Sequence, residues 1–424
     1  MRRWKTRCSQ LAILAVASTL TGCAAGPAAA PPQQTHAERP APDTGAEALV
    51  RTRALLAALD PDDPDRPEIM HQLAFLLEEE ANDLQRRAWS LEEAAEPQLT
   101  QIDELKARSK GALAEALEIY TALVEGHPGY ERVDDARYAA ASILLQLGQR
   151  VEAARAMQAL IDCCPSSPMR HQALLALGEH YFNENNILKA AELYRAAIDA
   201  APTSSLAPFA RYKLAWCHFN LNEAPAAWGL FLQIAKSARA TPEDRQAVQL
   251  AREASKDAVM AYAQFGDPAK ALAAFEELTG DPPGAQKLAD NLVIIYLDMG
   301  KSGEAEVLAR ALLALPRARS ANLSTLLALV EVQSARGRDA ETLSAIQDAL
   351  DAASAPNQAD AGWPQAVEDA MAQVEPRLWG LVEHFESTRA PAAAPGRREA
   401  LELYLKHFPT GRHADRARAL VNSP

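Results

Sequence analysis

The chain has 424 residues, with 43 Lys and Arg against 56 Asp and Glu, a formal charge of −13, 48% hydrophobic residues and only 6% aromatic ones. That length holds one large or two ordinary domains, the apolar content excludes wholesale disorder, and the negative charge without a long basic run excludes non-specific nucleic-acid binding. The apolar residues are largely alanine and leucine, which helices use and strands mostly do not, so an all-β or doubly wound parallel fold is excluded and an all-α chain is expected.

The first 22 residues read as an address. Arg2, Arg3, Lys5 and Arg7 precede a short apolar run from Leu11 to Leu20, which ends in Leu20-Thr21-Gly22-Cys23. The run falls well short of the ~20 residues that span a bilayer, so a cleaved signal is preferred to an uncleaved anchor. Its last four residues resemble the lipobox of bacterial lipoproteins. That resemblance implies cleavage before Cys23, a diacylglycerol on its sulfur and an acyl group on its new amine. With Ala24 rather than aspartate next, it also implies an outer-membrane location with the body in the periplasm. Several acyl chains at ~0.8 kcal/mol per buried methylene make such an anchor nearly permanent. Residues 23–47 contain Pro27, Pro31, Pro32, Pro40 and Pro42 among alanines and polar residues, and read as an extended tether without a core.

Residues 48–130 depart from the pattern that follows. Leu77, Ala81, Leu84, Ala88, Leu91 and Ala95 alternate steps of four and three, the spacing of one helix face. After Pro97, Leu99, Ile102, Leu105, Ser109, Leu113, Ala116, Tyr120 and Leu123 trace a second such face. The two predict a long helical hairpin over residues 67–126; the alternative is two short helix pairs broken near Gly111.

Residues 131–350 are repetitive. Leu177, Gly178, Tyr181, Ala190, Tyr194, Ala197 and Pro202 resemble the tetratricopeptide repeat, an antiparallel helix pair with small residues where helices approach and a proline that closes the second helix. Further copies contain Ala153, Met157 and Pro165, then Ala227 and Phe231, then Tyr262, Gly266, Ala271, Phe275, Leu278 and Pro283, then Tyr296, Gly300 and Ala305. Ala153, Ala190 and Ala227 stand 37 residues apart, whereas Ala271 and Ala305 stand 34 apart. The longer interval, with a proline and small residues between repeats, resembles the repeats of bacterial envelope lipoproteins that assist outer-membrane protein assembly, and of periplasmic cell-division coordinators. The resemblance implies an α-solenoid of about six or seven helix pairs. Residues 351–424 add a last half-matched repeat with Ala400, Tyr404 and Phe408, a Pro/Ala loop from Ser387 to Gly396, and a closing helix from Gly411 to Val421.

The chain has no Gly-rich phosphate loop, HExxH pair, CxxC or Gly-x-Ser-x-Gly elbow, and its nine histidines lack ligand spacing. It is therefore read as a non-enzyme, with no catalytic residue, no cofactor and no metal. Once Cys8 leaves with the signal and Cys23 is lipidated, Cys163, Cys164 and Cys217 remain, an odd number. A vicinal Cys163–Cys164 bond and a bond from either to Cys217 are both open, and Cys217 also reads as a small buried apolar residue.

In this repeat family the first helix of each pair lines a concave surface where partners lie. Those positions carry Tyr138, Leu175, Phe182, Phe209, Tyr212, Trp216 and Phe219, and Asn183 and Asn220 recur 37 residues apart within Phe-Asn-x-Asn. Aromatics beside spaced amides suit a groove that grips side chains while bonding a peptide backbone. The competing reading places the aromatics in the core and assigns Asn185 and Asn222 to helix C-caps. Two functions stay open. One is a lipid-anchored scaffold for other cell-envelope proteins, with a membrane attachment and no nucleic acid. The other is a peptidoglycan-associated or enzyme-accessory protein that positions a glycan or a catalytic partner.

Overall fold

The computed structural model describes residues 45–94, 98–316, 318–354, 362–388 and 394–421. The signal, Cys23, most of the tether and Pro97 lie outside them. Among the described residues there is no strand, and no helix is long and apolar enough to cross a membrane. Contacts divide the chain into two compact units, Met1–Leu221 and Asn222–Pro424.

The first unit begins with α1 (Gly45–Ala58), so helix starts within the last residues assigned to the tether. Then come α2 (Arg66–Glu92) and α3 (Leu99–Gly126), of 27 and 28 residues, packed along each other as the expected hairpin. At ~1.5 Å per residue each runs roughly 40 Å, well beyond an ordinary repeat helix. Leu77, Ala81, Leu84 and Ala88 face Ile102, Ser109, Leu113, Ala116, Tyr120 and Leu123, all buried. Leu99 departs from the expected face, being 72% exposed. It lies in the first turn of α3, at the free end of the hairpin.

Two pairs of 14-residue helices follow, α4 (Val133–Gln146) with α5 (Arg150–Cys163) and α6 (Arg170–Asn183) with α7 (Ile187–Ala200), and then α8 (Ala207–Asn220), also of 14 residues. The 37-residue register is visible in the backbone. Gly148, Asn185 and Asn222 all take left-handed conformations, with φ of 80°, 60° and 62°. Glycine and asparagine are the residues that tolerate this geometry at a helix C-terminus. The chain then folds back, with Gln149 N–H donating to the Leu144 carbonyl and Asn186 N–H to that of Tyr181, both at 2.8 Å. The Asn186 side chain next accepts from Lys189 N–H and caps α7. Pro165 and Pro202 each lie two residues beyond the end of a second helix, as expected. Gly178 is required by packing: a Cβ there would stand 2.8 Å from the ring of Tyr194, which is fully buried.

The second unit contains α9 (Ala224–Ala240), α10 (Arg245–Phe265), a 3₁₀ turn at Pro268–Lys270, α11 (Ala271–Thr279), α12 (Pro282–Asp298), α13 (Ser302–Leu313), α14 (Arg319–Ala335) and α15 (Asp339–Ser354). Pro283, expected to close a repeat, instead lies in the first turn of α12, where the missing N–H costs nothing and Asp281 caps the Gly284 N–H at 2.6 Å. The unit ends with α16 (Trp363–Thr388), α17 (Ala394–His407) and α18 (Ala414–Val421). The loop expected over Ser387–Gly396 is shorter than the Pro/Ala composition implied, because α16 and α17 reach into both ends of it; residues 389–393 lie outside the described residues. The closing helix starts at Ala414, three residues after Gly411. It is held down by stacking of His413 on Trp379, with centroids 4.4 Å apart, and by Arg416 over the same indole at 5.3 Å.

Candidate functional site

The first helices of the first unit place their predicted residues unequally. Tyr138 of α4 is only 6% exposed and Leu175 of α6 is buried as well, so both belong to the core. Phe182, Phe209, Tyr212, Trp216 and Phe219 are half-buried, whereas Asn183 and Asn220 are exposed. The structure brings Phe182 of α6 and Phe209 of α8 together around one side chain, Lys213, whose Nζ lies 4.5 Å from the first ring centroid and 5.9 Å from the second. Trp216 and Phe219 meet edge to face at 5.5 Å one turn further along α8. The Asn220 amide donates to the Trp216 carbonyl at 2.7 Å, so one of its hydrogens serves its own helix.

Sequence reasoning missed the polar floor beneath these aromatics. Lys213 is 3% exposed, and its Nζ lies 2.9 Å from Glu179 Oε2. The other carboxylate oxygen of Glu179 accepts the Tyr194 hydroxyl, so one acid ties α6 to both α7 and α8. Burial, and then the negative charge of Glu179, hold the Tyr194 phenol well above its ordinary range and hence neutral. A signal for this floor was present: in the 37-residue register Lys213 occupies the position of Ala139 and Ala176. A long cation replacing two small residues at a helix contact needs a buried counter-ion. The tie to tyrosine recurs in the last repeat, where the Tyr404 hydroxyl donates to Glu375 Oε1 at 2.6 Å.

Of the cysteines, Cys163 and Cys164 are bonded to each other and Cys217 is a buried free thiol, one turn beyond Lys213 on α8. Among the described residues no group of three or more His, Cys, Asp or Glu side chains is arranged to hold a metal ion. The arrangement along α6 and α8 thus sets aromatic faces over a buried ion pair.

Residues 106–168, 138–205 and 175–245 each match the family model of the tetratricopeptide repeat. Over residues 106–245 the chain carries tetratricopeptide repeats. Among solved structures it is similar to a tetratricopeptide repeat protein from Parabacteroides merdae, at 14% identity over 70% of this chain and 99% of that one, with a TM-score of 0.34. It is also similar to the quorum sensor NprR of B. thuringiensis, at 13% identity over 81% of this chain and 98% of that one, with a TM-score of 0.32. No curated protein matches the sequence. The matches indicate no enzyme family, and the repeat is one of protein–protein interaction.

Proposed function

We propose that the chain is a lipid-anchored scaffold of the periplasm, held at the outer membrane through Cys23, that binds other envelope proteins along α6 and α8. The observation that carries the binding role is the half-buried aromatic row of Phe182, Phe209, Trp216 and Phe219 over the Lys213–Glu179 pair, flanked by exposed Asn183 and Asn220. Such a surface accepts apolar side chains of an extended segment, and the amides bond its backbone. The anchor rests on the signal and the Leu20-Thr21-Gly22-Cys23 motif. The mass of the mature N-terminus tests it; an unmodified Cys23, or a soluble product cut elsewhere, would sink it.

The binding role is tested by capture from envelope extract with the mature body and with the Asn183→Ala, Asn220→Ala double variant. Both amides are exposed, so the melting temperature is expected to stay nearly constant. Each backbone group left unpaired in a bound segment costs ~1 to 3 kcal/mol, so capture is expected to weaken by roughly tenfold or more. An early-melting variant, or one that captures its partners as well as the parent, refutes the groove. Retention on glycan fragments instead of protein would favour a peptidoglycan-associated role.

A further inference from the structure

The Cys163–Cys164 disulfide lies where α5 ends, Cys163 being its last residue and Cys164 its C-cap. Cys163 is exposed and Cys164 half-buried. Arg137, reaching over from α4, places Nη1 3.5 Å from the Cys164 sulfur and 2.9 Å from Asp134 Oδ1. A cross-link stabilises a fold mainly by closing a loop that the unfolded chain would otherwise leave open, and the effect grows with loop length. This bond joins neighbours in sequence and closes no loop, so it has little structural work to do. What it has is an accessible sulfur on one side and a fixed cation beside the other. Those are the attributes of a disulfide that exchanges. Cys217 shows the opposite character: burial pushes its thiol up to about 12, out of the range in which it reacts.

We propose that Cys163–Cys164 is a reversible two-electron redox site, opened and closed by exchange with a dithiol. One thiolate of the dithiol attacks the exposed Cys163 sulfur and forms a mixed disulfide. The electron pair of the broken S–S bond leaves on the Cys164 sulfur, beside the Arg137 guanidinium. The second thiolate of the dithiol then displaces the Cys163 sulfur. The dithiol ends as its cyclic disulfide, and its two protons pass to Cys163 and Cys164. Closure is the same sequence reversed with an oxidised dithiol. Arg137 acts as a positioning residue that favours Cys164 as the leaving sulfur, because a leaving thiol of lower pKa departs faster. The site lies outside the α6 and α8 surface, and its chemistry is independent of that surface's function.

The test uses the folded full chain, millimolar dithiothreitol at neutral pH, an alkylating quench and tryptic mapping. The peptide from Ala156 to Arg170 carries both cysteines, and Cys217 falls in another. The expected result is two alkyl groups on the first peptide with Cys217 unlabelled, reversed by oxidised dithiothreitol. The Arg137→Gln variant is expected to be reduced roughly three- to tenfold more slowly. Cys217 labelling in the same sample reports whether that variant has unfolded. Cys164→Ser should react with added oxidised glutathione, the Cys163 thiolate attacking its disulfide, releasing one glutathione as thiolate and holding the other as a mixed disulfide at Cys163. Reduction only together with Cys217 labelling, two free thiols that persist in oxidant, or an unchanged rate in folded Arg137→Gln each overturns the proposal.

Discussion

Lys213→Ala is expected to destabilise α6 to α8 by about 3 to 5 kcal/mol, although the new residue is the one found at the same register position in the two preceding copies. The cost does not come from the lost cation–π contacts, which contribute ~1 to 2 kcal/mol at most. It comes from Glu179, 12% exposed at its side chain, whose carboxyl group would be left buried beside Tyr194 without its counter-ion. The paired substitution Lys213→Met with Glu179→Gln should recover most of the loss. An amide oxygen still accepts from Tyr194, methionine fills the volume between Phe182 and Phe209, and no charge is left buried. Hydrogen exchange of peptides from α6, α7 and α8 across a urea series reads this directly. A single variant that loses less than ~1 kcal/mol would mean that water reaches the pair and screens it. The rescued variant also separates stability from binding: full protection with lost partner capture would place Lys213 in the recognition itself.

The parts of this molecule legible in its sequence are those where one residue type has a single physical use at a fixed interval. Gly178 admits the Tyr194 ring, Gly148, Asn185 and Asn222 turn the chain, and Pro165 and Pro202 lie just beyond helix ends. The heptad face of α2 was readable because burial on a long hairpin leaves a strict stripe. The aromatics were harder, because an aromatic on a first helix serves core and groove alike. Only packing depth separates Tyr138, which is core, from Phe182, half-buried and set against Lys213. Pairing across repeats was illegible for another reason. Glu179 and Lys213 are 34 residues apart, in a chain rich in both charges, and only their shared burial distinguishes them from solvated surface pairs. Pro376 lies inside α16 and does not end it, a case in which tertiary contacts override the local rule.

Leu84→Pro is expected to unravel the outer half of the hairpin and leave the rest of the first unit folded. Proline at this position removes a helical hydrogen bond and collides with the carbonyl one turn earlier, costing ~3 kcal/mol or more, and it also empties the buried leucine site. The damage should stop short of the base. The core that joins α1, α2, α3 and α4 runs from Leu49 to Ile143 and reaches along the hairpin to Ala81 and Ala112. Leu84, Ala88 and Ile102 lie beyond it, and the last buried polar tie is Ser109 Oγ to the Ala81 carbonyl at 2.9 Å. Further out, the pairs Arg87–Asp83, within α2 at 2.7 Å, and Lys106–Glu92, across the hairpin, are exposed and add little. Amides from about Leu84 to about Ser109 should therefore exchange freely in the variant while α4 to α8 keep the parent's protection. Leu84→Ala is the control: it opens the cavity without breaking the backbone ladder, so it should loosen the same segment without abolishing its helix. Loss of protection in α4 to α8 after Leu84→Pro would mean that the hairpin is part of the solenoid's own core and not an extension grown out of its first repeat.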